Sequence, residues 1–185
     1  MVKQSSLKIA ISQREETIGK FNYDCLSQNW YRFLNKHQII PIPNVDDNKE
    51  YDFDVLILSG GNCSLSRFHT ELKLYNHAVD KNLPIIGICH GAFFIAEING
   101  SICADVKGHK DTEHTINMED KEFIVNSSHN SKITKLGKNF NIIATDKEYN
   151  IEAFKHDKKS IWGMLWHPEN MKNAVLPSEL HSLLM

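Results

Sequence analysis

The sequence predicts an open α/β fold: a mostly parallel sheet with helices on both faces, followed in the second half by an antiparallel β excursion. Three observations carry this. Short apolar runs at Val55–Leu58 and at 83–88 read as central strands. Between such runs, apolar residues recur at helical spacing, first at Leu26, Trp30, Phe33 and Leu34, then at Phe68, Leu72, Tyr75 and Val79. Beyond Gly100 the pattern changes to short strands broken by turn residues.

Taken in order, residues 7–11 read as the first strand and 39–42 as the second, with the first amphipathic helix between them. Val55–Leu58 is the third. The second helical stripe leads into the strand at 83–88, and residues 92–96 continue as a buried helix. Right-handed crossovers join these elements into a parallel layer. Further strands are expected at 101–106, 114–118, 122–126, 141–145 and 151–156, with turns at Glu119-Asp120 and Asp157-Lys158. The last strand, 161–165, returns to the sheet or lies along its edge, and residues 173–185 form either a helix or a frayed end. No repeat, linker or low-complexity stretch interrupts the chain, so residues 1–185 read as a single domain.

Composition narrows the functional classes. Lys and Arg total 21 against 23 Asp and Glu, and no basic stripe with interleaved aromatics appears, which argues against nucleic acid as a partner. No signal peptide or membrane-length apolar run is evident, so a cytoplasmic protein without a membrane partner is expected. Cys25, Cys63, Cys89 and Cys103 are irregularly spaced, which suits reduced thiols. Among the histidines, Cys103, His109 and His114 have no familiar ligand spacing, so no metal is expected; His69, His77, His156 and His181 read as polar surface. Residues 46–50 read as a solvated loop.

Chemistry concentrates in three segments. Gly87-Ile88-Cys89-His90-Gly91 leaves a strand and enters a helix, the pattern of a nucleophile elbow with sulfur at its centre. Free N–H groups at the helix start favour a thiolate there, although an inert buried cysteine at an ordinary strand-to-helix turn has the same local pattern. Some eighty residues on, a strand ends in Trp166-His167-Pro168-Glu169. Reactive groups of open α/β sheets gather at the carboxyl ends of parallel strands, so His167 can meet Cys89 as its base while Glu169 orients the imidazole. The third segment, Ser59-Gly60-Gly61-Asn62, follows the strand Val55–Leu58. Backbone N–H groups of Gly60 and Gly61, with that of His90, form a candidate oxyanion hole; a plain glycine turn is the alternative.

Leu58-Ser59-Gly60-Gly61-Asn62, Gly87-Ile88-Cys89-His90-Gly91 and Trp166-His167-Pro168-Glu169, in this order, resemble class I (triad) glutamine amidotransferases, especially their free-standing γ-glutamyl hydrolase branch. Val125-Asn126-Ser127-Ser128-His129 resembles the V-N-S-x-H stretch near the γ-glutamyl pocket of that branch. The segment from Gly108-His109 to His114-Thr115-Ile116 supports the same branch. The resemblance implies a flavodoxin-like sheet, Cys89 as nucleophile, His167 as base, Glu169 as orienter and a γ-glutamyl thioester released by water. It implies no metal or organic cofactor. Asn62, Phe93, Asn126, Ser127, Ser128 and His129 are the substrate-side candidates.

One departure stands out. The family usually carries Gln four residues after the cysteine, where it holds the glutamyl group, and this chain has Phe93 there. Phe93 either rebuilds that pocket or faces the core behind the elbow. Residues 11–14 and 24–34 look like small bacterial members that remove γ-glutamyl groups from nucleotide-linked amidates of surface-polysaccharide pathways. The expected function is therefore hydrolysis of a small-molecule γ-glutamyl amide. The alternatives are a glutaminase subunit that delivers ammonia to a separate synthetase and, from another class, a redox or chaperone protein with an elbow cysteine. A synthetase partner or a homo-oligomer cannot be read from the chain.

Overall fold

In the computed structural model of the chain, residues 6–45 and 49–185 are described. The expectation for the loop at 46–50 falls mostly on residues outside that description.

Five parallel strands form the spine. β1 (Lys8–Ser12) lies between β4 (Gln38–Ile42) and β5 (Val55–Leu58); β5 pairs with β6 (Ile85–Ile88), and β6 with β13 (Ile161–Met164). Side chains alternate across such strands. Val55 and Ile57 join one apolar layer, while Leu56 and Leu58 join the other. The first layer is closed by Trp30 of α1 (Gln28–Phe33) with Leu34 just past its end, and by Leu180 and Leu184 of α4 (Ser178–Leu184). The second layer is closed by Leu74 and Ala78 of α2 (Leu65–Asp80) and by Phe94 and Ile95 of α3 (His90–Ile98). Burial on both faces is why β5, β6 and β13 are unbroken apolar runs, whereas the edge strand β4 is only partly buried.

From β13 onward the sheet is antiparallel. β12 (Ile151–His156) pairs with β13, then β11 (Phe140–Asp146), β8 (Thr112–Met118) and β9 (Lys121–Ser127) extend it. Glu119 and Asp120 both take positive φ, the two-residue turn that matches the twist of a hairpin. β10 (Ser131–Lys135) connects β12 to β7 (Ile102–Asp105) off this path. The last strand of the sequence reading thus sits inside the sheet, and the chain's tail is helical.

Three strands escaped the sequence reading. β2 (Arg14–Ile18) and β3 (Phe21–Cys25) form a separate hairpin that is largely exposed, so it lacks the apolar alternation that marks a strand. β10 is a short strand whose one fully enclosed side chain is Ile133. The α2 stripe also needs correction. Tyr75 is buried as expected, but Phe68, Leu72 and Val79 are only partly so, and the fully enclosed row runs through Arg67, Glu71, Leu74 and Ala78.

Candidate active site

Three adjacent parallel strands deliver three segments to one edge of the sheet. β5 ends at Ser59-Gly60-Gly61, β6 at Cys89, and β13 runs on through Leu165 and Trp166 to His167. Cys89 occupies the turn with φ 50° and ψ −105°, a conformation L-residues rarely hold and that costs on the order of 1–3 kcal/mol. The neighbours fix it there. The Cys89 N–H donates to the Met164 carbonyl at 2.8 Å, and Gly91 packs so closely on the Leu58 carbonyl that any Cβ would collide. The three strand ends are thereby locked together.

His167 lies over this turn, its Nδ1 2.8 Å from Glu169 Oε1 and its ring beside the Cys89 sulfur. Glu169 is buried, on the single 3-10 turn Pro168–Asn170 that follows. Burial disfavours the imidazolium, but the Cys89 sulfur and the Glu169 carboxylate outweigh it and push the His167 pKa up to about 10. Gly60 sits against the imidazole, where a Cβ would overlap the ring's Cε1. His90 opens α3, and the first N–H groups of a helix have no partner within it. The arrangement can hold a carbonyl between a sulfur nucleophile, a proton carrier and backbone donors.

A buried ionic network supports the glycine loop. Arg67 and Glu71 are both 0% exposed and pair at 2.9 Å. The guanidinium donates to the carbonyls of Ser59 at 2.6 Å and Asn62 at 3.1 Å. Glu71 accepts from Ser12 Oγ at 2.7 Å and lies 2.9 Å from His90 Nε2. Burial opposes the Glu71 charge, yet His90 and Arg67 hold its carboxyl below the usual carboxylate range. Sequence reasoning missed this network; an Arg and a Glu four apart on a helix signal a surface pair as readily as a buried one.

The substrate-side candidates divide. A cavity of about 360 Å3 opens over Cys89 and is lined by Gly61, His90, Phe93, Ser128 and His129 among others. Phe93 is therefore at the cavity wall, its ring 5.9 Å from that of His129. The Asn126 amide accepts from the His167 N–H at 2.8 Å and donates to the His167 carbonyl at 2.9 Å, so both polar atoms clamp the histidine's backbone. The buried Ser127 hydroxyl donates to the His109 carbonyl at 2.6 Å. Asn62 is exposed, and its carbonyl is held by Arg67. Ser128 Oγ donates to Asp111 at 2.8 Å. A larger cavity, about 470 Å3, lies between the end of β4 and α2, away from Cys89.

The other thiols have no comparable setting. Burial and then Glu97 push Cys103 up to about 11, and burial also raises Cys63. Behind the cavity wall, His109, His129 and Glu152 come together, a grouping the sequence reading did not consider when it set Cys103 beside His109 and His114. They come from two loops and β12, so no spacing signature exists.

The fold and this strand-end site define a class: the chain belongs to the class I glutamine amidotransferase family, whose model matches residues 22–179. Among its relatives is the gamma-glutamyl-CDP-amidate hydrolase of Campylobacter jejuni subsp. jejuni serotype O:2, 30% identical over 180 residues that cover 87% of this chain and 90% of that protein. A glutamine-hydrolyzing GMP synthase subunit of Methanosphaera stadtmanae is 31% identical over 122 residues, 61% of this chain and 64% of that one. Of solved structures, a Thermoplasma acidophilum protein assigned as a GMP synthase subunit superposes with a TM-score of 0.71 at 25% identity, covering 90% of this chain and 86% of that one. A Thermotoga maritima glutamine amidotransferase shares the fold, with a TM-score of 0.70 at 14% identity over 90% of this chain and 77% of that one.

Proposed function

We propose that the chain hydrolyses a γ-glutamyl amide bond through Cys89, His167 and Glu169. The observation that carries this is the His167 ring set between the elbow sulfur and the Glu169 carboxylate, with Gly60 packed against it. Cys89 gives its proton to His167 and attacks the γ-carbonyl as thiolate. Backbone N–H groups of His90 and the Gly60-Gly61 loop take the oxyanion. His167 returns the proton to the leaving nitrogen as the C–N bond breaks, which leaves a γ-glutamyl thioester. Water then attacks the thioester, its proton passing to His167, and glutamate departs as the thiol reforms. Asn126 positions His167 by its backbone.

Phe93 favours a substrate larger than glutamine. An aromatic ring replaces an amide at the wall of the glutamyl pocket, so binding energy has to come from the leaving group. The relative that acts on a γ-glutamyl-CDP-amidate matches nearly the whole chain, and it points to a nucleotide-linked amidate as the substrate class. The relatives that are GMP synthase subunits support the second reading, a glutaminase subunit that passes ammonia to a synthetase. An ordered His–Glu pair beside the sulfur supports proton transfer in hydrolysis over a redox or chaperone role.

The test is mass spectrometry of the protein with a panel of γ-glutamyl compounds. The expected result is an acyl adduct on Cys89, turnover without any partner, and complete loss of both adduct and turnover in Cys89→Ser. Turnover that appears only with an added synthetase would replace the hydrolase reading by the glutaminase one. Activity retained by a folded Cys89→Ser protein would overturn the mechanism.

A further inference from the structure

We propose that His109, His114, His129 and Glu152 form a binding site for one divalent transition metal ion of the zinc class, placed behind the wall of the cavity over Cys89. Glu152 is 1% exposed, and neither of its carboxylate oxygens has a hydrogen-bond partner among the described residues. A buried anion in that condition is expensive, and in native proteins it is paired or coordinates a metal. Three imidazole nitrogens converge on it. His109 Nδ1 lies 3.5 Å from Oε1, while His114 Nε2 and His129 Nε2 lie 3.3 Å and 3.9 Å from Oε2. All three nitrogens likewise lack a hydrogen-bond partner among the described residues.

These separations are those of loose ion pairs, strongest at His114, whose pKa the Glu152 carboxylate raises, and they also match neighbouring ligands around one ion. With metal–ligand bonds of about 2.0–2.1 Å, neighbouring donors in a tetrahedral centre stand about 3.3 Å apart. The donor atoms offered by His109, His129 and Glu152 all lie within 4.8 Å of one another, and closure onto an ion would draw these three inward together with His114, whose Nε2 already lies 3.3 Å from Glu152 Oε2. Three nitrogens and a carboxylate suit zinc, cobalt or nickel better than magnesium or calcium, which take oxygen.

The surroundings hold the rings in the required form. His129 Nδ1 is 2.8 Å from the Ser131 carbonyl and must donate to it, which leaves the Nε2 lone pair facing Glu152. His109 turns its Nε2 toward Asp146, 3.5 Å away, and so presents Nδ1 inward. Asp146 is itself fixed by the N–H groups of Glu148 and Asn150, each at 2.8 Å. An imidazole whose second nitrogen meets a carbonyl or carboxylate is the usual outer shell of a metal ligand. Two enclosed carboxylates, Glu152 and Asp146, also give the site a charge that a divalent cation neutralises.

The ion would tie the loop before β8, β8 itself, the β9–β10 connection and β12 into one body. Since Ser128, His129 and Ser131 line the cavity, it would set the shape of the wall opposite Cys89. The site stands apart from the γ-glutamyl reading, and either can fail alone.

The protein, produced without a histidine tag, is loaded with zinc, desalted and assayed for metal. One zinc per chain is expected, retained in Cys89→Ser, with a thermal midpoint that falls on chelation and recovers on readdition. Cobalt loading of the wild type should give visible d–d bands of tetrahedral coordination without thiolate charge transfer. Glu152→Gln and His114→Gln should each weaken zinc retention at least tenfold and lose the chelator response. Zinc removed by desalting, zinc lost in Cys89→Ser, or undiminished zinc in both variants would overturn the site. The cobalt spectrum decides the matter even if both variants fail to fold: thiolate charge transfer, or octahedral bands alone, would also overturn it.

Discussion

Glu71, beneath the glycine loop, and Glu152, behind the cavity wall, are both shut away from solvent at 0% and 1% exposure, yet their surroundings differ completely. Every oxygen of Glu71 is engaged, by Ser12 and Arg67 on one side and His90 on the other, so the charge is neutralised and fixed by protein alone. Glu152 faces three imidazoles at 3.3–3.9 Å, close enough to raise the His114 pKa, but none of the described residues gives it a hydrogen bond of good geometry. A satisfied buried carboxylate is scaffold, and here it holds the loop that lies against His167. One that faces only loosely placed imidazoles is the kind of buried group whose partner is a water or an ion.

The largest expected effect tests that difference in stability. Arg67→Met leaves Glu71 buried without its cation, which should cost about 3–5 kcal/mol in urea unfolding. Glu152→Gln, in chelator, should cost under about 1 kcal/mol, because it removes an uncompensated charge and no hydrogen bond. Equal losses would mean that protonated imidazoles already serve Glu152 as Arg67 serves Glu71, and the contrast would dissolve. Glu71, with its carboxyl held low, contributes stability above the ordinary carboxylate range that is lost as pH falls through its lowered value. The Arg67→Met protein should therefore show a weaker acid dependence.

Next in size is the clamp that joins the two regions. Asn126 belongs to β9, in the antiparallel half, and holds the backbone of His167 at the end of a parallel strand. Asn126→Ala should lower kcat on the order of 100-fold with KM little changed, since an ångström of displacement in a proton carrier is enough for such a loss. A change confined to KM would return Asn126 to the substrate side.

The His167 proton gives a third measure. Its pKa of about 10 depends on the Cys89 sulfur and the Glu169 carboxylate overcoming burial. Cys89→Ala and Glu169→Gln should each move the imidazole titration downward by NMR, whereas Glu152→Gln should leave it in place. A raised histidine contributes stability that is full below its unfolded value near 6.5 and disappears as pH rises toward 10, so Cys89→Ala should flatten the fall in stability across that window.

These regions were not equally legible in the sequence. The three central parallel strands β5, β6 and β13 are doubly buried apolar runs, and the glycine, cysteine and histidine segments lie at their ends, so strand order alone brings them together. The elements past Gly100 were read as strands from local pattern, but their pairing depends on contacts distant in sequence. That is why the side-chain partners of Asn126 and Ser127 were not foreseen: His167 and His109 are 41 and 18 residues away. The Arg67–Glu71 pair was hidden by a charged character that elsewhere means surface. The exposed hairpin of β2 and β3 has no buried face to leave a pattern.

Phe93 lies at the junction, on the elbow helix with its ring against His129, and there the smallest effect is expected. If the ring excludes the amide hydrogen bond that glutamine would otherwise receive, Phe93→Gln should restore about 1 kcal/mol to glutamine and raise its kcat/KM several-fold. A γ-glutamyl compound with a large leaving group, already bound by other contacts, should gain less, so the ratio of the two substrates narrows. The ring also packs against the second apolar layer, and its removal should cost some stability. The two consequences separate cleanly when both substrates are measured on protein of verified fold. An unchanged ratio would make Phe93 a packing residue at the seam between the halves, and a narrowed one would make it the position that turns the pocket away from glutamine.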